Sequence, residues 1–191
     1  PLRTGGGDAV ADAPFDLAYT PDRVLADGEA LEGPGWTLTA IATPGHASNH
    51  LCFALAQDGR DTGIVFTGDH VMGWATSVVG PPDGDMADYL ASLEKLHDRD
   101  DRIYYPAHGP AVTRPRQLVR GMIGHRRQRE GQILRLLADG AADLPGLVEQ
   151  MYRGLSPALV GAARQSVCAH LLDLERRGLV GRSESSWKIA Q

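Results

Sequence analysis

Phe66-Thr67-Gly68-Asp69-His70 closes a short apolar run, Ile64 to Phe66, and sets a carboxylate and an imidazole directly after a glycine. A strand that ends this way is a fixed platform carrying a polar loop. Two other stretches are built alike. Thr37 to Ala42 leads into Thr43-Pro44-Gly45-His46 and on through Ala47-Ser48-Asn49-His50, and Ile103 to Tyr105 leads into Pro106-Ala107-His108-Gly109. Each of the three thus ends a strand with a side chain that binds divalent metals through nitrogen or oxygen. Imidazole and carboxylate are the ligands a hydrolytic zinc site needs, because they leave the ion a position for water. The glycine beside each candidate lets the backbone turn sharply and come close to an ion. Singly, each is an ordinary loop histidine or Gly-Asp turn. The weight lies in all three occurring in order on one strand pattern.

The surrounding chain reads as a sheet and then a bundle. Further strands are expected at Arg23 to Ala26 and Leu51 to Leu55, with turns at Gly33-Pro34-Gly35 and Asp58-Gly59. After the Pro81-Pro82-Asp83-Gly84 loop, Asp85 caps a helix whose Met86, Leu90, Leu93 and Leu96 face one way. The first twenty residues, rich in Gly, Ala and Asp, read as loop. From Thr113, with Pro115 two residues on, a long helix runs to Ala138. A second spans Leu144 to Tyr152. A third starts at Ser156-Pro157, carries Val160, Ala163, Val167, Leu171 and Leu174 at helical spacing, and stops at Gly178. Leu179-Val180 and Ser186 to Ile189 then form a hairpin. Three helices and a hairpin describe a winged helix. The expected units are residues 1–112, a partial α/β domain, and residues 113–191, a linking helix with a winged-helix domain.

Charge divides at the same place. Residues 1–112 hold 6 Lys and Arg against 17 Asp and Glu, whereas residues 113–191 hold 13 against 7. An acidic front and a basic back suggest different tasks. No apolar run approaches the ~20 residues that span a bilayer, and the start has no charged-then-apolar signal pattern. The expectation is a cytoplasmic protein with no membrane partner. Cys52 and Cys168 lie far apart and read as separate buried thiols.

The three strand-end segments together resemble the metallo-β-lactamase-fold hydrolases. Gly68-Asp69-His70-Val71-Met72-Gly73-Trp74, Pro81-Pro82-Asp83-Gly84-Asp85-Met86 and Pro106-Ala107-His108-Gly109-Pro110 resemble the beta-lactamase-like protein 2 and glyoxalase II-like branch in particular. So do His125-Arg126 and Arg129-Glu130 on the long helix before a winged helix. The resemblance implies an αββα sandwich and a pair of zinc ions per complete site. It also implies a metal-bound hydroxide that attacks an ester, a thioester or a phosphodiester, so that small-molecule esters and single-stranded RNA are the substrates to expect.

By that resemblance His46 belongs to the first metal, Asp69 bridges both, and His108 belongs to the second, so that the three side chains should converge. His50 either supports a ligand or is a plain hydrogen-bonded histidine. His70 either points into the cleft or is a solvated loop residue. Trp74, Thr76 and Ser77 should border the substrate. The family's His-x-His-x-Asp-His motif has no counterpart here, since the first histidine is His46. Residues 1–112 therefore read as the C-terminal half of a sandwich, followed by the winged helix, and the whole as a portion inactive alone, with metal partial or absent. The second face of its sheet, with Leu38, Leu51 and Phe53, awaits a missing N-terminal half or a second copy. The alternative is a non-enzymatic winged-helix module, binding nucleic acid or protein, with a degenerate hydrolase half. Arg114, Arg116, Arg120, Arg126, Arg127 and Arg129 on the long helix are then either a phosphate-binding cluster or a solvated charged face.

Overall fold

The computed structural model describes residues 20–140, 142–183 and 185–190. Its first half is a meander. Strands β1 (Ala30–Gly33), β2 (Trp36–Ala42), β3 (Leu51–Gln57) and β4 (Arg60–Gly68) pair antiparallel in sequence order. Asp58 and Gly59, with φ of 48° and 73°, make the two-residue turn that joins β3 to β4. Helix α1 (Met86–His97) then crosses over, so that β5 (Ile103–Pro106) lies parallel to β4 at the sheet edge. The strand expected at Arg23 to Ala26 is absent. The edge strand forms at Ala30–Gly33 instead, where the tight turn before Trp36 fixes its register against β2.

Period-two alternation gives the sheet two unlike faces. Ile41, Cys52, Val65 and Tyr104 are buried on one, against Met86, Tyr89, Leu93 and Leu96 of α1. The apolar stripe of α1 thus includes Tyr89 and leaves Leu90 only partly buried. Asp85 accepts from the Ala87 and Asp88 amides, as an N-cap should. The opposite face carries Leu38, Leu51, Phe53, Phe66 and Tyr105. No helix or strand among the described residues packs on it. Phe66 and Tyr105 lie with ring centroids 6.0 Å apart and are about 40 % exposed, at 41 % and 42 %.

Helix α2 (Pro115–Ala138) belongs to both halves. Val119, Met122 and Ile123 enter the first core, while Ile133 and Leu137 enter the second. Its cap position is Arg114, without a side-chain bond, so Thr113 does not cap it and Pro115 alone sets the start. Beyond it come β6 (Ala142–Asp143), α3 (Leu144–Met151), α4 (Pro157–Arg176), β7 (Val180–Ser183) and β8 (Ser186–Ile189). The three strands pair in the order β6-β8-β7. Helix α4 ends in a Schellman motif: Leu179 N donates to Leu174 O, Gly178 N to Glu175 O, and Gly178 takes φ 70°. The second core gathers Leu147, Val167, Leu171, Leu174, Val180 and Trp187. Cys52 is buried and Cys168 half-buried, both free thiols. No helix among the described residues is long and apolar enough to cross a membrane.

Candidate metal centre

The loops after β2, β4 and β5 open at one end of the sheet, and glycines bring them close. Gly45 has φ 133°, and a Cβ there would stand 2.3 Å from the Tyr89 Cα, so the His46 loop lies directly on α1. Gly68 has φ 52°, and a Cβ there would meet His50 Nε2 at 2.6 Å. No other residue fits either position without moving a neighbour. Ala107 N donates to Gly68 O at 2.9 Å and Gly73 N to His108 O at 3.0 Å, so the last two loops are laced by backbone.

Asp69 and His108 meet. Asp69 Oδ1 lies 3.5 Å from His108 Nε2, is buried, and accepts no hydrogen bond. An acceptor-only oxygen taken out of water without a donor is costly, which makes it a place for a cation. His46 is set apart. Its Nδ1 lies 2.7 Å from the Val78 carbonyl, which can only accept. Nδ1 therefore carries the proton, and in the neutral ring Nε2 keeps its lone pair, the arrangement in which histidines bind metals. Among the described residues, however, no three His, Cys, Asp or Glu side chains stand close enough together to hold an ion. The expected convergence of His46, Asp69 and His108 is reached only by the last two. These nitrogen and carboxylate donors suit zinc as part of a ligand set.

The neighbouring histidines form a file running inward. The rings of His46 and His50 are 6.4 Å apart, those of His50 and His70 5.6 Å, and those of His70 and Tyr89 4.6 Å. His50 Nδ1 bonds Thr43 Oγ1 at 2.8 Å. Burial, and after it the charge of His46, pushes His50 down to about 4. His70 is fully buried, and burial pushes it down to about 3. It is neither a solvated loop residue nor a cleft residue, because the loop after Asp69 folds back beneath the Tyr89 ring. Trp74 is 72 % exposed beside Gly109, at the rim. Ser77 is buried and does not border the opening; its hydroxyl donates to the Asp69 and His70 carbonyls.

Two supporting residues escape a sequence reading. Tyr89 donates to the His70 carbonyl at 3.1 Å. Arg126, counted among the basic residues of the long helix, is only 3 % exposed and donates to the Ser77 carbonyl. The basic cluster is not one patch: Arg127 pairs with Glu94 at 2.9 Å, Arg116 bonds the His97 carbonyl, and Arg129 lies over the Tyr152 ring.

Comparison with known proteins converges on one family. Residues 2–108 match the metallo-beta-lactamase superfamily, and residues 144–187 match the beta-lactamase associated winged helix domain. An atrochrysone carboxyl ACP thioesterase of Aspergillus fumigatus is 34 % identical over 155 residues, which is 73 % of this chain and 46 % of that protein. A beta-lactamase-like protein 2 homolog of Drosophila melanogaster is 29 % identical over 187 residues, 96 % of this chain and 60 % of that one. A solved metallo-beta-lactamase family protein from Thermus thermophilus superposes with a TM-score of 0.75 at 29 % identity, covering 86 % of this chain and 53 % of its own. The chain spans about half the length of the curated relatives it matches.

Proposed function

This chain belongs to the metallo-beta-lactamase superfamily, and from that premise we propose that it carries one side of a two-zinc hydrolase centre acting on thioesters. The observation that carries the reading is the buried Asp69 Oδ1, which lacks a hydrogen-bond donor and lies 3.5 Å from His108 Nε2. Asp69 and His108 would share one ion, and Asp69 would extend toward a second near His46. When bound, zinc supplies Lewis acidity and makes water acidic enough to ionise near neutral pH. The chain's own part is to hold ligands in fixed directions: the Val78 carbonyl fixes the His46 tautomer, and the backbone bonds between loops fix His108 against Asp69. Trp74, exposed at the rim, would line the path of the acyl group.

The remaining ligands would come from polypeptide outside these 191 residues. The same polypeptide would bring a second sheet onto the apolar face of Leu38, Phe53, Phe66 and Tyr105, since aligned sheets pack through such faces. The relatives, of which this chain matches 46 % and 60 %, supply the length for it. A thioester is favoured over single-stranded RNA by the thioesterase name of one relative. It is also favoured by the winged helix, whose Arg176 and Arg177 are engaged by Asp85, Glu130 and Asp173 within the chain.

Calorimetric titration with zinc tests the ligand set. The chain should take up zinc, and Asp69→Ala should weaken binding at least tenfold, as loss of an anionic ligand must; equal binding by the variant removes Asp69 from the site. Acyl-thioester hydrolysis tests the activity. Alone, the chain should be no faster than its His108→Ala variant. Joined to a polypeptide bearing the His-x-His-x-Asp-His motif, it should turn over, and His108→Ala should abolish that. Zinc-dependent turnover by the chain alone would overturn the division of ligands.

A further inference from the structure

Arg126 is a buried cation that no carboxylate among the described residues pairs with. Its Nε has no hydrogen-bond partner, and its guanidinium carbon lies 5.1 Å from the centroid of the Tyr89 ring. Burying a guanidinium without an anion costs stability, and an apolar side chain of similar length would fill the same space at a lower cost. What the guanidinium does hold is the Ser77 carbonyl. Ser77 in turn reaches across the loop, its hydroxyl donating to the carbonyls of Asp69 and, at 3.0 Å, His70. The Tyr89 hydroxyl, beneath the same guanidinium, donates to the His70 carbonyl at 3.1 Å. Every one of these bonds lands on the backbone of the loop that begins at Asp69.

We infer that Arg126 is a positioning residue for Asp69: it clamps the loop of residues 69–77 through Ser77 and so lets helix α2 set the direction of the carboxylate. The inference rests on the reading of Asp69 as a metal ligand, but its consequence for the loop does not. Arg126 touches neither Asp69 nor His108 in this geometry. It bonds the Ser77 carbonyl and lies over the Tyr89 face. Because α2 also builds the second core through Ile133 and Leu137, the winged-helix half would be mechanically joined to the ligand loop.

The test is amide hydrogen exchange on the whole chain, with Arg126→Met, Arg126→Lys and Ser77→Ala. The two reporters are the His70 amide, bonded to Thr67 O, and the Gly73 amide, bonded to His108 O. In Arg126→Met the melting temperature should hold or rise, because an unpaired buried charge is gone. The His70 and Gly73 amides should nonetheless exchange at least tenfold faster, with the α1 amides unchanged. Arg126→Lys, which keeps a donor for the Ser77 carbonyl, should fall between. Ser77→Ala should reproduce the local loosening without removing the charge, which covers an Arg126 variant that fails to fold. Zinc affinity should drop roughly 10- to 100-fold in both Arg126→Met and Ser77→Ala, the usual cost of losing a residue that orients a ligand. Wild-type exchange rates at His70 and Gly73 in Ser77→Ala, or an equal rise throughout α1, would overturn the inference. A wild-type chain that takes up no zinc would instead sink the metal reading, while the exchange rates would still decide whether Arg126 clamps the loop.

Discussion

The five-stranded sheet turns Ile41, Cys52, Val65 and Tyr104 under helices and leaves Phe66 and Tyr105 facing water, whereas the three-stranded sheet turns Val180 and Trp187 into a core that α2, α3 and α4 close. Both halves obey the same rule, that a sheet or helix with an apolar side must bury it against another layer. The winged helix satisfies it within residues 115–190. Among the described residues, the first half satisfies it on one face only. In the candidate metal centre Asp69 and His108 come together, and no third His, Cys, Asp or Glu among the described residues joins them. The counterpart proposed above would complete both the layer and the ligand set at once.

The comparison breaks most sharply at Trp187. It is buried among residues from all the helices of the second core, so Trp187→Ala should cost about 3–5 kcal/mol. Urea unfolding followed by circular dichroism would measure it. Leu93→Ala in the first core should cost about 2–5 kcal/mol by the same measurement. A cost below about 1 kcal/mol at Trp187 would mean that the second core is not closed in solution.

The seam between the halves should be sensitive to acid. His170 on α4 is buried, and neither ring nitrogen has a partner. Burial, then the charge of Arg126, pushes it down to about 3, with Glu130 acting the other way and His125 and Arg129 adding to Arg126. A depressed folded value means that the unfolded chain, titrating near 6.5, takes up the proton first. The stability this neutral ring allows is complete above about pH 6.5 and is lost as pH falls toward about 3. By about pH 5 the loss is about 2 kcal/mol. His170→Gln should therefore flatten the fall in stability between about pH 7 and pH 5 in urea melts. An unchanged slope would show that His170 is solvated.

A smaller effect is expected at the end of α4, where a pair with Glu130 ties it to α2. Arg177 pairs with Glu130 at 2.8 Å and Asp173 at 3.0 Å. The Arg177 guanidinium holds the Glu130 carboxyl below its usual range. Arg177→Ala should cost about 1–2 kcal/mol, more than a fully exposed pair and less than a core deletion. Loss of cooperativity in the same melt would show that the pair joins two separately folding units.

Much of this was legible in the chain because certain residues allow one conformation only. The glycines before His46 and Asp69 sit at positive φ and mark where strands stop. The unbroken apolar run Leu51 to Leu55 marks a strand suited to burial on both faces. What stayed hidden depends on folding back in three dimensions. His70 follows a candidate ligand and looks like a loop residue until Tyr89, nineteen positions later, covers it. Arg126 sits on a helix with arginines on several sides, so no stripe singles out the one that turns inward. The two-residue strand β6 exists only as a pairing with β8, and nothing in Ala142-Asp143 announces it. The edge strand lies seven residues later than its apolar signal at Arg23 to Ala26, because the hairpin turn, not local propensity, fixes its register.

The smallest effect is the one that decides between an open face and a covered one. Phe66 lies on the uncovered side of β4, 41 % exposed, with the Tyr105 ring as its neighbour. A half-exposed ring recovers little transfer free energy, so Phe66→Ala in this chain should cost roughly 0.5–1 kcal/mol, mostly the lost aromatic contact. Once a second sheet lies on that face, the same ring becomes core, and its truncation should cost about 3–5 kcal/mol. Urea melts of Phe66→Ala, made in the chain alone and in the chain joined to the other half of a relative-length protein, would give both numbers. Sedimentation of the chain alone separates the remaining occupant, a second copy. If copies cover each other, the wild type should sediment as a dimer and Phe66→Ala as a monomer. Equal and small costs in both settings, with a monomer throughout, would mean that the face is built to stay wet, and the half-sandwich would have to be counted as finished.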